Sequence, residues 1–510
     1  MSTDNSGTSS RLDGLTSWDA DWAGLRVVVA GLGLSGFSAA DTLAELGAEV
    51  VLVDGQDTEE NRARADTLRI VGVRDVLLGE EYTHALPDVG GEPAELVVTS
   101  PGWRPDQPLL AAAAAAGIPV WGDVELAWRV RERAGRKTAD WIVVTGTNGK
   151  TTTVGMVESM LLAAGLRAVA CGNVGTPVLD AIRDPEGWDV IAVELSSFQL
   201  HWTQHIEPAA SVVLNLAEDH VDWHGSFEAY CADKARIYEH TREACIFNES
   251  EPVTMRMVEQ ADVQEGCRAV SFTTDTPGLS MVGVVDGLLV DRAFLDERAH
   301  RALELGAVQD LGPLAPRHQV ANALAAAALV RAIGVPPEAV RDGLRAYRPG
   351  DHRIQLVAKA DDVLWINDSK ATNPHAADAA LGAFTDVVWI AGGLPKGVTY
   401  DELVARHSQR LRAVVLIGAD PSELAGALQR HAPHVPVLST AVGETGGDPS
   451  DGHRAMDAAV READGVARPG DVVLMAPAAA SMDQFVSYAD RGNAFIDAVA
   501  RLMDAKGLGS

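Results

Sequence analysis

The sequence predicts an α/β protein made of three successive blocks of parallel sheet covered by helices, and three observations carry that expectation. From Leu25 onward, short β-branched runs alternate with helix-length stretches, the pattern of strands buried on both faces. Two glycine-rich turns, Gly31–Gly36 and Gly146–Gly149, each join a strand-like run to a helical stretch. A Pro349-Gly350 pair then breaks the chain, and βα alternation resumes beyond it. A length of 510 residues also suits three domains, at about 150 residues each.

In chain order, residues 1–24 are polar and acidic and read as a disordered leader. A first block, residues 25–122, has strand candidates Leu25–Ala30, Glu49–Val53 and Leu96–Thr99, with helices from near Ser35 and Gln107. A second block, residues 123–349, opens on a charged helical stretch, Val124 to Arg136. Strands Trp141–Thr145, Val190–Val193, Ala210–Leu214 and Ala244–Phe247 follow. A less regular region spans Glu249 to Gly312, and helices are expected at Gln319–Ile333 and Pro337–Tyr347. The third block, residues 350–510, has strands Val363–Asn367, Val387–Ala391, Ala413–Ile417 and Val472–Met475, with a surface loop at Gly443–Gly452.

Composition excludes several classes of function. Lys plus Arg is 42 against 72 for Asp plus Glu, a formal charge of −30, which repels phosphate backbones and anionic lipid. Neither nucleic acid nor a membrane is an expected partner. The longest apolar run, Leu109 to Val120, is too short and Ala-rich to span a bilayer, and the N-terminus lacks a signal-peptide core. Four cysteines without a CxxC give neither a disulfide framework nor a zinc site. A cytoplasmic monomer acting on small molecules is expected. Anionic ligands would need local help from glycine loops, helix N-termini or a divalent cation.

The turn Gly31-Leu32-Gly33-Leu34-Ser35-Gly36 follows a strand and opens a helix, so backbone N–H groups can face a diphosphate. Asp54 closes the next strand, where a ribose-binding acid would sit. The pattern does not separate a nicotinamide cofactor from another nucleotide diphosphate, or from a turn that binds nothing. Gly146-Thr147-Asn148-Gly149-Lys150-Thr151-Thr152 is sharper. Strand, glycine loop, lysine, hydroxyl and helix are the parts of a phosphate cradle, although Val144 stands where the general GxxxxGK[ST] pattern has glycine. ATP is the expected ligand, with Lys150 on the β/γ-phosphates and the Thr151 hydroxyl toward Mg²⁺. Glu194 ends an apolar strand, either as an ordinary acid or as an Mg²⁺ ligand. Glu218, Asp219, His220, Asp222 and His224 make either a solvated loop or a cation and phosphate site. Lys234, with Tyr230 and Tyr238 four residues to either side, reads by default as a surface charge.

GTNGKTTT, VIAVELSSFQL, LNLAEDHVDWHG and AYCADKARIYEH, in that order, resemble the central domain of the Mur ligase family, whose glycine loop has this shortened form. The flanking GLGLSGFS, VTSPGW, CGNVGTP, INDSKATN and APAAASMDQF resemble its members that join D-glutamate to UDP-N-acetylmuramoyl-L-alanine in peptidoglycan synthesis. INDSKATN separates these from sister Mur ligases and from folylpolyglutamate synthase-like amide ligases, the nearest alternatives. A nicotinamide dehydrogenase would leave the GTNGKTT loop unused.

The resemblance implies a Rossmann-like N-terminal domain, a central P-loop ATPase-like domain and a Rossmann-like C-terminal domain. Leu34, Ser35, Asp54 and Gly102 would bind the UDP part of the substrate, while Asn173 and His220 would reach its sugar-peptide part. Gly55-Gln56 stands where the family often has Thr-Arg beside the uracil. Thr147, Asn148, Gly149, Lys150, Thr151, Thr152 and Thr153 would form the ATP loop, joined by Asn322 at adenine and by His352, Arg353 and Asp368 from the third domain. Thr151 and Glu194 match one Mg²⁺ site, and His220 with Lys234 a second, Lys234 being carbamylated in the family. Lys150, His220 and Lys234 would be catalytic. Thr372, Lys396, Ser481, Met482 and Tyr488 match the D-glutamate pocket.

Overall fold

The computed structural model describes residues 11–312, 314–394, 398–440 and 449–508. Lys396 and most of the loop expected at Gly443–Gly452 lie outside them. The chain divides into two compact units. One holds the residues up to Ala315 with Gln319–Tyr347, and the other holds Pro316–His318 with Arg348 onward.

The first unit contains two sheets. Strands β1 (Arg26–Ala30), β2 (Glu49–Asp54), β3 (Asp75–Leu78), β4 (Leu96–Thr99) and β5 (Val120–Gly122) pair in the order β3-β2-β1-β4-β5, all parallel. The order reverses between β1 and β4, where parallel sheets open a crevice for ligands. The second sheet comprises β6 (Asp140–Thr145), β7 (Ala168–Gly172), β8 (Val190–Glu194), β9 (Ala210–Val213), β10 (Ala244–Asn248), β11 (Arg268–Phe272), β12 (Met281–Val285), β13 (Leu288–Asp291) and β14 (Leu303–Ala307). Its order is β14-β13-β12-β11-β10-β9-β6-β8-β7. Strands β6, β8, β9 and β10 are buried at their centres, with valine, isoleucine and alanine predominating, as a sheet covered on both faces requires.

The expectation for Glu249–Gly312 needs correction. This stretch holds the helix Pro252–Gln260 and four strands, with β12–β13 and β13–β14 antiparallel. Asp286 (φ 49°) and Gly287 (φ 78°) form the hairpin turn, and an Asp-Gly pair between apolar runs is the sequence signal for it. The helix begun at Asp123 ends at Val130 rather than Arg136, because the Arg131 guanidinium folds back over the Trp128 ring and donates to the Trp128 carbonyl (2.6 Å).

The leader is corrected over residues 11–24, the part of it among the described residues. Leu12, Leu15 and Trp22 are buried in the core of the first unit. Arg129 donates to the carbonyls of Leu12 (3.1 Å) and Leu15 (3.5 Å), and Trp22 Nε1 donates to Ser17. Three apolar anchors scattered without period among polar residues leave no pattern to read, yet each fills a hole.

The second unit is one sheet of β15 (Gln355–Ala360), β16 (Val363–Asn367), β17 (Val387–Gly392), β18 (Leu411–Ile417), β19 (Val437–Ser439) and β20 (Val472–Met475), ordered β15-β16-β20-β17-β18-β19. All pairs are parallel except β15–β16. Helices Pro449–Val466 and Tyr488–Ala505 pack against one another in this unit. Among the described residues no helix is long and apolar enough to cross a membrane.

Candidate active site

Strand β6 delivers the chain into the loop Gly146–Gly149, and the helix Lys150–Ala163 follows at once. Gly149 has φ 86°, and a side chain there would run into Asn322 Oδ1 at 2.5 Å. Asn322 therefore lies against the loop, on the helix Arg317–Ala332. Asn215, just past β9, clamps the loop from the other side. Its Oδ1 accepts Asn148 N (2.9 Å), its Nδ2 donates to the Asn148 carbonyl (3.0 Å), and its own carbonyl accepts Thr147 N (3.0 Å). The Thr147 hydroxyl shares a hydrogen bond with Tyr230 (2.8 Å) and accepts Ala217 N (2.9 Å). Sequence reasoning gave Asn215 and Tyr230 no part here.

Lys150 Nζ donates to the carbonyls of Gly146 (2.9 Å) and Thr147 (3.0 Å). Lys234 Nζ donates to the same Gly146 carbonyl (3.0 Å) and to the Thr145 hydroxyl (3.1 Å). Lys234 is only 2% exposed, which overturns the surface-charge reading. Among the described residues no carboxylate is ion-paired with it. Burial and then the Lys150 charge push its amine well below the usual lysine range, against the pull of Asp219 and Glu194.

Glu194, at the end of β8, is buried. Its Oε1 accepts Asn173 Nδ2 (3.0 Å), while its buried Oε2 has no hydrogen-bond partner. An orphaned carboxylate oxygen in a buried site calls for a cation. Among the described residues no cluster of three or more His, Cys, Asp and Glu side chains is set to hold a metal. A hard cation here would draw on Glu194, the Thr151 hydroxyl, water and phosphate oxygens, the manner of Mg²⁺ rather than of zinc.

His220 sits at the start of the short helix Val221–His224 with a left-handed backbone (φ 53°). Its exposed ring lies 3.5 Å from Asp219 and edge-on to Phe198. The neighbouring His224 is engaged more tightly. Asp233 accepts His224 Nδ1–H (2.8 Å) and His201 Nδ1–H (3.0 Å), so that His224 Nε2 can accept the Ser197 hydroxyl (2.9 Å). Burial raises the Asp233 carboxyl, but the two histidine hydrogen bonds outweigh it and bring it to about 2.

In the first sheet, Gly31 and Gly36 let the turn close. A Cβ on Gly36 would fall 1.9 Å from the Gly31 carbonyl, and one on Gly31 would meet Ser100 and Trp103. Asp54 Oδ2 accepts Leu32 N (2.7 Å) and Oδ1 accepts Gln56 N (2.8 Å), so the acid caps the glycine turn. Leu34 is 66% exposed at the helix start beside the half-buried Ser35. Gly102 lies in the turn after β4, where a Cβ would meet nothing.

In the second unit, strand ends converge. Asp368 follows β16, accepts Ile354 N (3.2 Å) and is pushed up to about 7 by burial, with Arg353 opposing. His352 is buried, its Nδ1 accepting Asn367 Nδ2 (2.9 Å). Thr372 lies two residues before the helix Pro374–Leu381. Lys370 Nζ sits 3.7 Å above the Tyr488 ring. Ser481 is buried and Met482 is 73% exposed. The last helix starts at Tyr488, where Ser487 caps it by accepting Asp490 N (3.1 Å). Sequence reasoning missed Arg491. Buried, it donates to Ser369 Oγ (3.0 Å), the Ser369 carbonyl (3.0 Å) and the Ala479 carbonyl (3.1 Å), and burial brings its guanidinium down to about 9.

Three families match in chain order. The Mur ligase MurD-like N-terminal domain covers residues 25–122, the Mur ligase middle domain 144–330, and the Mur ligase glutamate ligase domain 352–479. The chain belongs to the Mur ligase family. Its relatives include the UDP-N-acetylmuramoylalanine--D-glutamate ligase of Streptomyces avermitilis, 57% identical over 94% of this chain and 99% of that one. That of Tropheryma whipplei is 41% identical over 98% and 100%. Among solved structures, MurF from Acinetobacter baumannii has a TM-score of 0.56 at 16% identity, covering 94% of each chain. MurF ligase from Thermotoga maritima in complex with ADP has 0.53 at 17%, covering 90% of this chain and 96% of that one.

Proposed function

We propose that this chain is an ATP-dependent ligase that joins D-glutamate to UDP-N-acetylmuramoyl-L-alanine, acting as a cytoplasmic monomer in peptidoglycan synthesis. The observation that carries the reading is end-to-end similarity to D-glutamate ligases in a chain whose lysine-bearing loop lies beside two buried groups, Glu194 and Lys234. A carboxylate is a poor acyl donor, so the L-alanine carboxylate first takes the γ-phosphoryl group of ATP to become an acyl phosphate. The D-glutamate amine then attacks the acyl carbon, and phosphate leaves from the tetrahedral intermediate.

Each part has residues suited to it. Thr147 to Thr153 form the ATP loop: the amides from Gly149 to Thr152 and the Thr151 hydroxyl are offered to the phosphates, while Asn215 holds the Thr147 and Asn148 amides and Thr153 bonds the Gly149 carbonyl. Lys150, a few bonds' rotation from the Gly146 and Thr147 carbonyls, neutralises charge on the transferring group. Asn322 lies beside the loop for the adenine, with Arg353 and Asp368 as further nucleotide contacts. Thr151 and Glu194 would hold one Mg²⁺, and His220 with Lys234 a second. Bound there, Mg²⁺ supplies the positive charge that lets an anion approach an anionic phosphate. Lys234 serves this role as a carbamate. Its buried amine, without an ion-paired carboxylate, adds to CO₂ with loss of a proton and becomes an anion. Leu34, Ser35, Asp54 and Gly102 take the UDP part, Asn173 and His220 the sugar-peptide part. Thr372, Lys396, Ser481, Met482 and Tyr488 take D-glutamate, whose two carboxylates need a cation and hydroxyl donors.

The test is ADP release with UDP-N-acetylmuramoyl-L-alanine and a panel of amino acids. D-glutamate alone should support turnover, and Lys396→Ala should raise its KM at least about tenfold, or about 1.4 kcal/mol, leaving the KM of the nucleotide-sugar unmoved. Equal use of L-glutamate, or an unchanged D-glutamate KM, would overturn the pocket. Turnover only with a different acceptor would point to a sister ligase.

A further inference from the structure

The catalytic loops all leave the C-terminal ends of the second sheet's parallel strands, at Thr145, Glu194 and Val213. At the opposite edge, where β11 begins with Arg268, lies a cavity of about 430 Å³. Its lining includes Arg268, Phe294, Leu295, Asp296, Arg298 and Arg331. That volume suits a ligand of one or two rings.

The walls are held by the chain's own buried groups. Asp291, wholly buried, accepts Ala293 N (2.7 Å), Phe294 N (2.9 Å) and Arg331 Nε (2.9 Å). Arg331 further donates to the carbonyls of Val335 (2.5 Å) and Phe294 (3.1 Å), so its charge and donors are engaged. Arg292 donates to the carbonyls of Pro277 (3.1 Å) and Arg298 (3.3 Å), which fixes the far wall. The Phe294 corner and the Arg298 backbone are thus set before any ligand arrives.

Two guanidinium groups on these walls stand apart from that network. Arg268 lies 5.0 Å over the Phe294 ring and makes one bond, from Nη2 to the Ala293 carbonyl (2.5 Å). The half-buried Arg298 makes no side-chain hydrogen bond, and neither arginine is ion-paired with a carboxylate among the described residues, Asp296 included. In a chain with 72 acidic residues against 42 basic ones, arginines as varied as Arg62, Arg167, Arg183 and Arg430 find carboxylates. Arg268 and Arg298 instead line the same cavity, where burial and then the Arg298 charge hold the Arg268 guanidinium below its usual range against the pull of Asp291. Two like charges beside an aromatic wall, with every donor but Arg268 Nη2 unused, are complementary to a dianion carrying an apolar group.

We propose that this cavity is a second ligand site that binds a small organic phosphate, held at its phosphate by Arg268 and Arg298 and at its apolar part by Phe294 and Leu295. It is separate from the nucleotide loop, and its ligand is no substrate of the ligation.

The probe is phenyl phosphate, titrated calorimetrically into the full chain with the nucleotide site saturated by Mg-ADP. One equivalent should bind with a Kd below about 1 mM, near −4 kcal/mol, inorganic phosphate more weakly, and phenol not at all. Arg298→Ala and Arg268→Ala should each weaken binding at least tenfold while kcat and both substrate KM values stay put. Arg298→Lys, which keeps the charge but not the fork, should fall between. Equal thermal unfolding of Arg298→Ala and the parent separates lost binding from lost folding. Three results would overturn the proposal: no heat with phenyl phosphate, unchanged affinity in both alanine variants, or binding abolished by Lys150→Ala, which would place the probe in the catalytic loop.

Discussion

The first unit uses the same backbone device twice, and the two copies differ in what surrounds them. At Gly31–Gly36 and at Gly146–Gly149 a buried strand runs through a glycine turn into a helix. Around the first turn a carboxylate, Asp54, caps the Leu32 and Gln56 amides, with one cation, Arg64, on the Leu32 carbonyl (3.3 Å). Around the second, two lysine amines converge on one carbonyl, that of Gly146. A helix N-terminus favours anions in both places, so topology alone does not decide what chemistry follows. The first turn, which we propose takes the UDP part of the substrate, has a single arginine beside its carboxylate. The second has the charge that transfer needs.

That contrast can be broken from either side. The largest effect is expected for Lys150→Ala, which should lower kcat by roughly a thousandfold while binding of the UDP substrate, followed by calorimetry, stays as in the parent. Near-normal turnover would put the two turns on a par. Lys234→Ala should cost nearly as much, yet added formate or acetate should restore part of the rate by entering the space the carbamate leaves. Absence of rescue, with an unmodified amine found by mass spectrometry and ¹³C NMR under CO₂, would count against the modification. Gly36→Ala forces a Cβ into the Gly31 carbonyl, so the KM for the UDP substrate should rise about tenfold, or about 1.4 kcal/mol, with the KM for ATP little changed. If both rise together, the turns are mechanically coupled rather than separate.

An effect of another kind, on stability rather than rate, lies in the second unit, which has neither turn. Burial raises the Asp368 carboxyl to about 7, above an unfolded value of about 3.9. Its contribution to stability is therefore fully present below about pH 4 and is lost as pH rises through about 7. Urea unfolding should show stability falling over that window by at most about 1.4 kcal/mol per pH unit, and Asp368→Asn should flatten the slope.

What could be read beforehand follows the same division between backbone and surroundings. Strands β1 and β6 are continuous runs of β-branched residues that end in glycine turns, so both glycine turns were legible. Lys234 was not, because a lysine between two tyrosines on a helix looks the same in solvent as in a core; only the sheet beneath it reveals its burial. Asn215 and Arg491 are ordinary residues whose partners lie 67 and 122 positions away, and no local pattern encodes such pairings. The Asp286-Gly287 hairpin, by contrast, carried a local signal that the irregular hydrophobicity around it obscured.

Kinship and packing also draw the N-terminal edge of the first unit in different places. The matching N-terminal domain begins at residue 25, but Leu12, Leu15 and Trp22 belong to the core. A chain trimmed to Leu25 would lose three large apolar plugs, at about 1.5–3 kcal/mol for each such side chain. It would also strip Arg129 of two carbonyl acceptors while its charge stayed beside Glu125 and the Trp121 ring. Such a trimmed chain would be expected to aggregate or to lose heat resistance although every motif of the family is present in it.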